Sequence, residues 1–233
     1  EIIHGDYNRL LSNAGLSSCT NYELYKGLYS SFNDKNLFEV SYSLNRQFGP
    51  VSDGSGLYSG KKLISFADNH DVERLASILK DKNNLYLVYA LLFASPGLPC
   101  LYYGSEWGIE GKKQDGDGAL RPALNEPVWN NLAQWISQLA FLYKAEKSLY
   151  EGDYENLCVR NEQLLFKRCS PGEEIIFCLN ISHSSITLYP SRESYGSFPG
   201  IYGSYMNLYD GRVQQFNGPV EISADSCIML KKL

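Results

Sequence analysis

The chain has 233 residues, enough for one large or two modest domains, and 44% of them are hydrophobic, enough to build a core. A net charge of −5 disfavours nucleic acid as a partner, because phosphate binding needs a basic surface. No stretch approaches the length of a membrane span; the longest apolar run, Leu85 to Ala94, is interrupted by tyrosines and reads as a core helix.

In chain order, a short strand is expected near Ser18–Thr20, and Asn21 to about Phe48 reads as mostly helical. Gly49 to Gly60 is a Gly/Ser-rich loop, and Lys61 to Ala67 a strand. Asn83 or Asn84 can cap a helix that runs to Ala94 and stops at Ser95-Pro96-Gly97. Leu98 to Tyr103 is another strand, followed by a Gly- and Asp-rich loop from Gly104 to Asn125. Glu126-Pro127 is expected to open a helix, with Pro at a favourable first-turn position. Trp129, Leu132, Trp135, Ile136, Leu139 and Leu142 recur at helical spacing and read as its core face.

From about residue 149 the texture changes to short strands: Tyr154–Arg160, Gln163–Cys169, Glu174–Asn180, Ser185–Tyr189, Tyr205–Tyr209 and Cys227–Lys232. Turn residues such as Pro171-Gly172 and Asp210-Gly211 separate several of them, which suggests a small β-sandwich. The division is expected at residues 1–148 and 149–233.

The six cysteines show no zinc spacing, and several lie inside apolar strand patterns. They are read as free thiols, which favours a reducing, cytoplasmic setting over a secreted one, with disulfides as the alternative that an even count leaves open. The first residue is Glu, and the chain is expected to be a piece of something longer. Tyrosines, phenylalanines and tryptophans are abundant; sugar sites use aromatic faces, but so do cores, and the core reading suits most of them.

The most informative segment is Phe66-Ala67-Asp68-Asn69-His70-Asp71, polar residues crowded at the end of an apolar strand in a strand–helix–strand setting. In (β/α)8 barrels the chemistry sits at the carboxyl ends of the strands. FADNHD, then PGLPCLYYGSEWG, then DGDGALRP, in that order, resemble the α-amylase family of glycoside hydrolases and glucan transferases. The resemblance spans roughly residues 1–124. It implies an α/β fold: the carboxyl-terminal portion of a (β/α)8 TIM barrel (strands six to eight, residues 1–148), followed by a small antiparallel β-sandwich (149–233).

The family's retaining chemistry uses two carboxyl groups about 5 Å apart across the scissile bond, with an oxocarbenium-like transition state. The resemblance implies that Asp71 is a third carboxylate assisting that transition state, with His70 hydrogen-bonding the same glucose. The competing reading is that His70-Asp71 merely caps the following helix. Glu1 matches the family's general acid/base at the end of the fifth strand. Asp117 and Arg121 match a D-x-x-x-R pair that binds more distant glucose units, or equally forms a loop-fixing salt bridge. Arg74 matches an Arg that orders carboxylates or binds an anion, with a structural role as the alternative. His4, Asp6 and Tyr7 could line the leaving-group side of the cleft, with Tyr7 stacking on a sugar. His4-x-Asp6 is too little for a metal, and His183 is expected to be exposed.

The nucleophilic Asp belongs on a strand that would precede Glu1. The isolated chain is therefore expected to be inactive, its partners being a starch-like α-glucan or maltooligosaccharide and a missing amino-terminal half. No cofactor is identifiable, and calcium is left open through that absent half. A glucanotransferase of the same family, or a non-catalytic glucan-binding module, are the alternative functions.

Overall fold

The structure, a computed structural model, describes residues 7–13, 15–191 and 197–233. Helix α1 (Tyr22–Asn33) starts where Asn21 Oδ1 accepts the Leu24 N–H at 3.1 Å, serving one of the donors a helix start leaves open. Leu24, Leu28 and Phe32 recur at helical spacing and are buried. The expected long helical stretch is broken in two: the chain reverses after Asn33, Lys35 takes φ 49°, and α2 (Phe38–Phe48) returns along α1. Gly27 permits that approach, since a Cβ there would lie 3.2 Å from Val40 Cα.

Strand β1 (Ile64–Phe66) pairs in parallel with β2 (Leu98–Cys100), and Thr20 bridges Ile64 in parallel. The crossover between the strands carries α3 (Leu75–Ile78) and α4 (Asn84–Ala94). Every residue of α4 except Tyr86 is buried, which fits a sequence with no polar face. Asn83 precedes α4 without a side-chain cap bond. Gly97, at φ 110°, is required where the chain enters β2: a Cβ would lie 2.6 Å from Leu63 O, the acceptor of the Leu98 N–H.

Two expectations for the next helix fail. After the one-turn α5 (Asp117–Leu120), α6 begins at Asn131 and runs to Ala145, not from Glu126-Pro127. The start is fixed by Asn130, whose Oδ1 accepts the Ala133 N–H at 2.9 Å, a tie that Pro127 cannot supply. Trp129 therefore falls outside the helix and is 73% exposed, whereas Leu132, Ile136, Leu139 and Leu142 form the buried face as expected. Trp135 is half-buried and donates its indole N–H to Tyr86 O.

After α7 (Lys147–Glu151) the chain is antiparallel. Strands β3 (Asp153–Val159), β4 (Gln163–Ser170), β5 (Glu173–Asn180), β7 (Ile201–Asn207), β8 (Val213–Gly218) and β10 (Ser226–Lys232) form one sheet, in the order β3-β4-β5-β10-β7-β8. β6 (Ile186–Leu188) and β9 (Val220–Ile222) pair separately. β8 escapes sequence reading because Val213-Gln214-Gln215 is exposed and lacks an apolar alternation, and β9 because Val220-Glu221-Ile222 is only three residues long.

The large sheet is covered on both faces. Leu164, Phe166, Ile175, Phe177 and Leu179 join the core of the helices, while Leu165, Ile176 and Cys178 pack with Leu188, Val220 and Ile222. Double coverage is why β4 and β5 read as continuous apolar runs. Buried polar ties cross from helices to sheet. Arg168 on β4 donates to Ala94 O and Gly152 O, both at 2.8 Å, and burial pushes its guanidinium down to about 10. Lys231 Nζ reaches Glu146 Oε2 at 2.5 Å and Glu173 Oε1 at 3.1 Å. All six cysteines are free thiols, and among the described residues no helix is long and apolar enough to cross a membrane.

Candidate active site

The polar hexapeptide leaves β1 at Phe66, and its members divide into buried and open positions. Asp68 is 3% exposed. Its Oδ2 accepts the Leu75 N–H at 2.8 Å and its Oδ1 accepts the Ser105 hydroxyl at 2.7 Å. Burial pushes the Asp68 carboxyl up, against the lowering effect of those two hydrogen bonds and of Arg74. Asn69 Oδ1 accepts the Asp71 N–H at 2.8 Å and so shapes the turn, while its amide donates to the Tyr22 hydroxyl at 3.0 Å. The donor at the start of α3 is therefore served by Asp68. That bond comes from Asp68 and not from His70 or Asp71.

His70 and Asp71 face outward, with side chains 43% and 45% exposed. Arg121 Nη2 donates to Asp71 Oδ1 at 2.8 Å, and Arg121 Nε donates to His70 O at 3.0 Å. His70 Nε2 stands 3.4 Å from Asp71 Oδ2, and Lys113 Nζ donates to Asp71 O at 3.3 Å. Half-exposed ion pairs of this kind contribute only about 0–1 kcal/mol each. Their consequence is orientation: both Asp71 oxygens have a fixed neighbour while the group stays open to a solute.

Other sequence candidates take different places. Arg121 pairs with Asp71, whereas Asp117 is exposed at the start of α5 and contributes its carbonyl to the Arg121 N–H. A loop-fixing Asp117–Arg121 ion pair is thus replaced by one that reaches the hexapeptide. Arg74 is fully buried: Nε donates to Leu120 O at 3.1 Å, and Nη1 to Tyr103 O at 2.8 Å and Ser105 Oγ at 3.1 Å. Its guanidinium lies 4.0 Å from the Tyr102 ring centre, and its buried Nη2 has no hydrogen-bond partner among the described residues. Tyr7 is 2% exposed and packs on Tyr58 with ring centres 5.2 Å apart; burial pushes its hydroxyl up. Buried as it is, Tyr7 is among the residues that line the groove beside Asp71. Glu1, His4 and Asp6 lie outside the described residues. His183 is exposed, as expected, and meets Asp225 at 3.0 Å. Among the described residues no cluster of metal-ligating side chains occurs.

Beside Asp71 runs a groove of about 1120 Å³, lined by Tyr22, Tyr25, Tyr29, Phe38 and Tyr42 on α1 and α2. A second hollow, about 730 Å³, lies along β2 and α6 and is lined by Leu101, Trp107, Val128, Trp129 and Ile136. Sequence reasoning missed Asp68 and Ser105. The available signal was position: an Asp two residues past a strand and seven before a helix's first N–H.

Residues 54–155 match the family model "Alpha amylase, catalytic domain". Over those residues the chain is similar to part of an α-amylase catalytic domain. Its similarity to a cyclomaltodextrin glucanotransferase of Bacillus sp. (strain 38-2) is 26% identity over 147 residues, covering 62% of this chain and 20% of that protein. The fold is similar to that of an Anoxybacillus α-amylase (TM-score 0.75, 22% identity, 97% of this chain and 50% of that one). It is also similar to a structure of AmyP in complex with maltotriose (TM-score 0.76, 17% identity, 99% and 54%). The chain thus spans about a fifth of that curated relative and about half of those two solved structures.

Proposed function

We propose that this chain contributes to the active site of a retaining glycosidase acting on α-1,4 bonds of starch-like glucans and maltooligosaccharides. The observation that carries the reading is Asp71 at a strand's carboxyl end, open to solute yet oriented by Arg121 and His70. In this reading Asp71 strengthens its hydrogen bonds to glucose hydroxyls as the oxocarbenium-like state forms, which lowers the barrier. His70 holds hydroxyls of the same sugar, and Arg121 keeps Asp71 in place. Glu1 is the general acid/base, and Asp117 a contact for a more distant glucose unit. The ligand in the AmyP structure, maltotriose, is of the class expected here.

The same reading takes residues 1–148 as strands six to eight of a barrel and residues 149–233 as a β-sandwich. The parallel array from Thr20 through β1 to β2 supports this, as does the exposed apolar flank of Leu98 and Leu101 along β2. An open parallel edge of that kind calls for a covering partner. Turnover is therefore assigned to a longer protein, and the 233-residue chain alone is expected to be inactive.

A transferase is the second reading, favoured by the cyclomaltodextrin glucanotransferase among the relatives. Incubating the complete gene product with maltotriose separates the two. Glucose and maltose alone support hydrolysis; longer or cyclic products support transfer; no turnover at all would overturn both and favour a binding module.

A further inference from the structure

The side chains that orient Asp71 are themselves held by a buried chain of contacts. It begins at Asp68, whose Oδ1 accepts the Ser105 hydroxyl at 2.7 Å. The same Ser105 oxygen accepts Arg74 Nη1 at 3.1 Å, and Arg74 Nε donates to Leu120 O at 3.1 Å. Leu120 precedes Arg121, which returns to Asp71 at 2.8 Å and to His70 O at 3.0 Å. The path closes on itself, because Asp68 and Asp71 are three residues apart in one segment. Asp68, Ser105 and Arg74 are 3%, 2% and 0% exposed. Their hydrogen bonds lie away from water, where partners cannot be exchanged for solvent and each broken bond leaves an unpaired polar group.

The arrangement goes beyond what folding alone requires of these loops. The Leu75 N–H, the helix-start donor, needs only one carboxylate oxygen, and Asp68 supplies Oδ2 for it. The second oxygen is spent on Ser105, in the loop after the neighbouring strand. That bond ties the ends of β1 and β2 to one buried guanidinium. Arg74 then fixes the backbone on which Arg121 stands. A shift of about 1 Å in a catalytic group can cost roughly 100-fold in rate, so rigidity here bears on chemistry.

We propose that Asp68 and Ser105 are positioning residues that set the Arg121–Asp71 geometry through Arg74. They touch no substrate. The proposal rests on the reading of Asp71 as a transition-state carboxylate, and deepens it by naming what holds that carboxylate in register.

The test uses the complete gene product with Asp68→Asn, Ser105→Ala and Ser105→Thr, assayed on maltoheptaose and crystallised. Asp68→Asn and Ser105→Ala are expected to lower kcat by about 10- to 100-fold with KM changed less than about twofold, since the lost interaction matters in the transition state. The double variant should be little worse than either single one, because both break the same path. Ser105→Thr, which keeps the hydroxyl, should recover most of the rate. In crystals of Ser105→Ala the Arg121–Asp71 contact should lengthen by about 1 Å or more, the scale on which positioning is lost. Variants that melt earlier yet keep the wild-type kcat, or a Ser105→Ala crystal with that contact unchanged, would overturn the proposal. The crystal result decides it even if the wild-type protein shows no turnover, an outcome that would count against the proposed function instead. A variant that does not fold leaves Ser105→Thr and its crystal structure to decide.

Discussion

The helical region and the antiparallel sheet solve different problems with similar apolar content. The sheet is closed: β4 and β5 are covered on both faces, the buried Arg168 donates to backbone carbonyls, and the half-buried Lys231 and Glu173 pair within the chain. The β1–β2 region is open. Its strands are three residues long, Leu98 and Leu101 are partly exposed beside β2, and Trp129 is largely exposed. Polar side chains gather at the ends of those short strands. The open region is where a solute can be met, and the closed region makes a stable backing for it. The lesson is that exposure and fixed geometry coincide around Asp71, whose neighbours are anchored by residues that are wholly buried.

The largest effect that sharpens this contrast is chemical and confined to the open region. Asp71→Asn in the complete gene product should lower kcat on maltoheptaose by roughly 10³-fold, the scale for losing one preorganised transition-state partner. Its melting temperature should stay near the wild-type value, because the ion pair with Arg121 is half-exposed and contributes little. Arg121→Ala should follow with a smaller loss, about 10- to 100-fold in kcat/KM, since Asp71 keeps His70 but loses its oriented neighbour.

The closed region should respond in stability instead. Arg168→Met leaves Ala94 O and Gly152 O without their donor inside the protein. A loss of about 3 kcal/mol in denaturant unfolding is expected, at 1–3 kcal/mol for each buried group left unpaired. Rate per folded molecule should be unchanged. A Met variant as stable as wild type would break the contrast between the two regions.

A pH effect should appear at the tie between them. Burial alone would raise the Glu173 carboxyl, but the Ser148 N–H at 2.5 Å and Lys231 Nζ outweigh it and hold it below its ordinary 4.5. A carboxyl lowered in the folded state binds protons more weakly than when unfolded. Its stabilisation is present above the unfolded value and is lost as pH falls through the folded one. Melting temperature should therefore drop on acidification below about pH 4.5, and Glu173→Gln should flatten that part of the profile. An unchanged acid limb in the variant would show that Glu173 does not supply it.

Much of this was readable from residues, and the failures have physical causes. FADNHD marks the strand end because four polar side chains follow an apolar strand, two of which, Asp68 and Asn69, hold the turn while His70 and Asp71 stay open. The strands from Tyr154 to Asn180 were visible as apolar runs bounded by turns. The start of α6 was misread because Pro127 suits a first turn, while the side chain of Asn130 decided the matter. The role of Asp68 was invisible because Ser105, its partner, lies 37 residues away and meets it only when β1 and β2 pair. Read from sequence, Arg121 pairs with Asp117, its neighbour four residues away. Only folding could reveal that 50 residues separate it from its actual partner, Asp71.

The most direct test of the account is kcat for wild type and Asp71→Asn of the complete gene product on maltoheptaose, with circular dichroism confirming equal folding. The account predicts turnover in the wild type and a loss of roughly 10³-fold in the variant. An Asp71→Asn protein that turns over the glucan within a fewfold of wild type would contradict it.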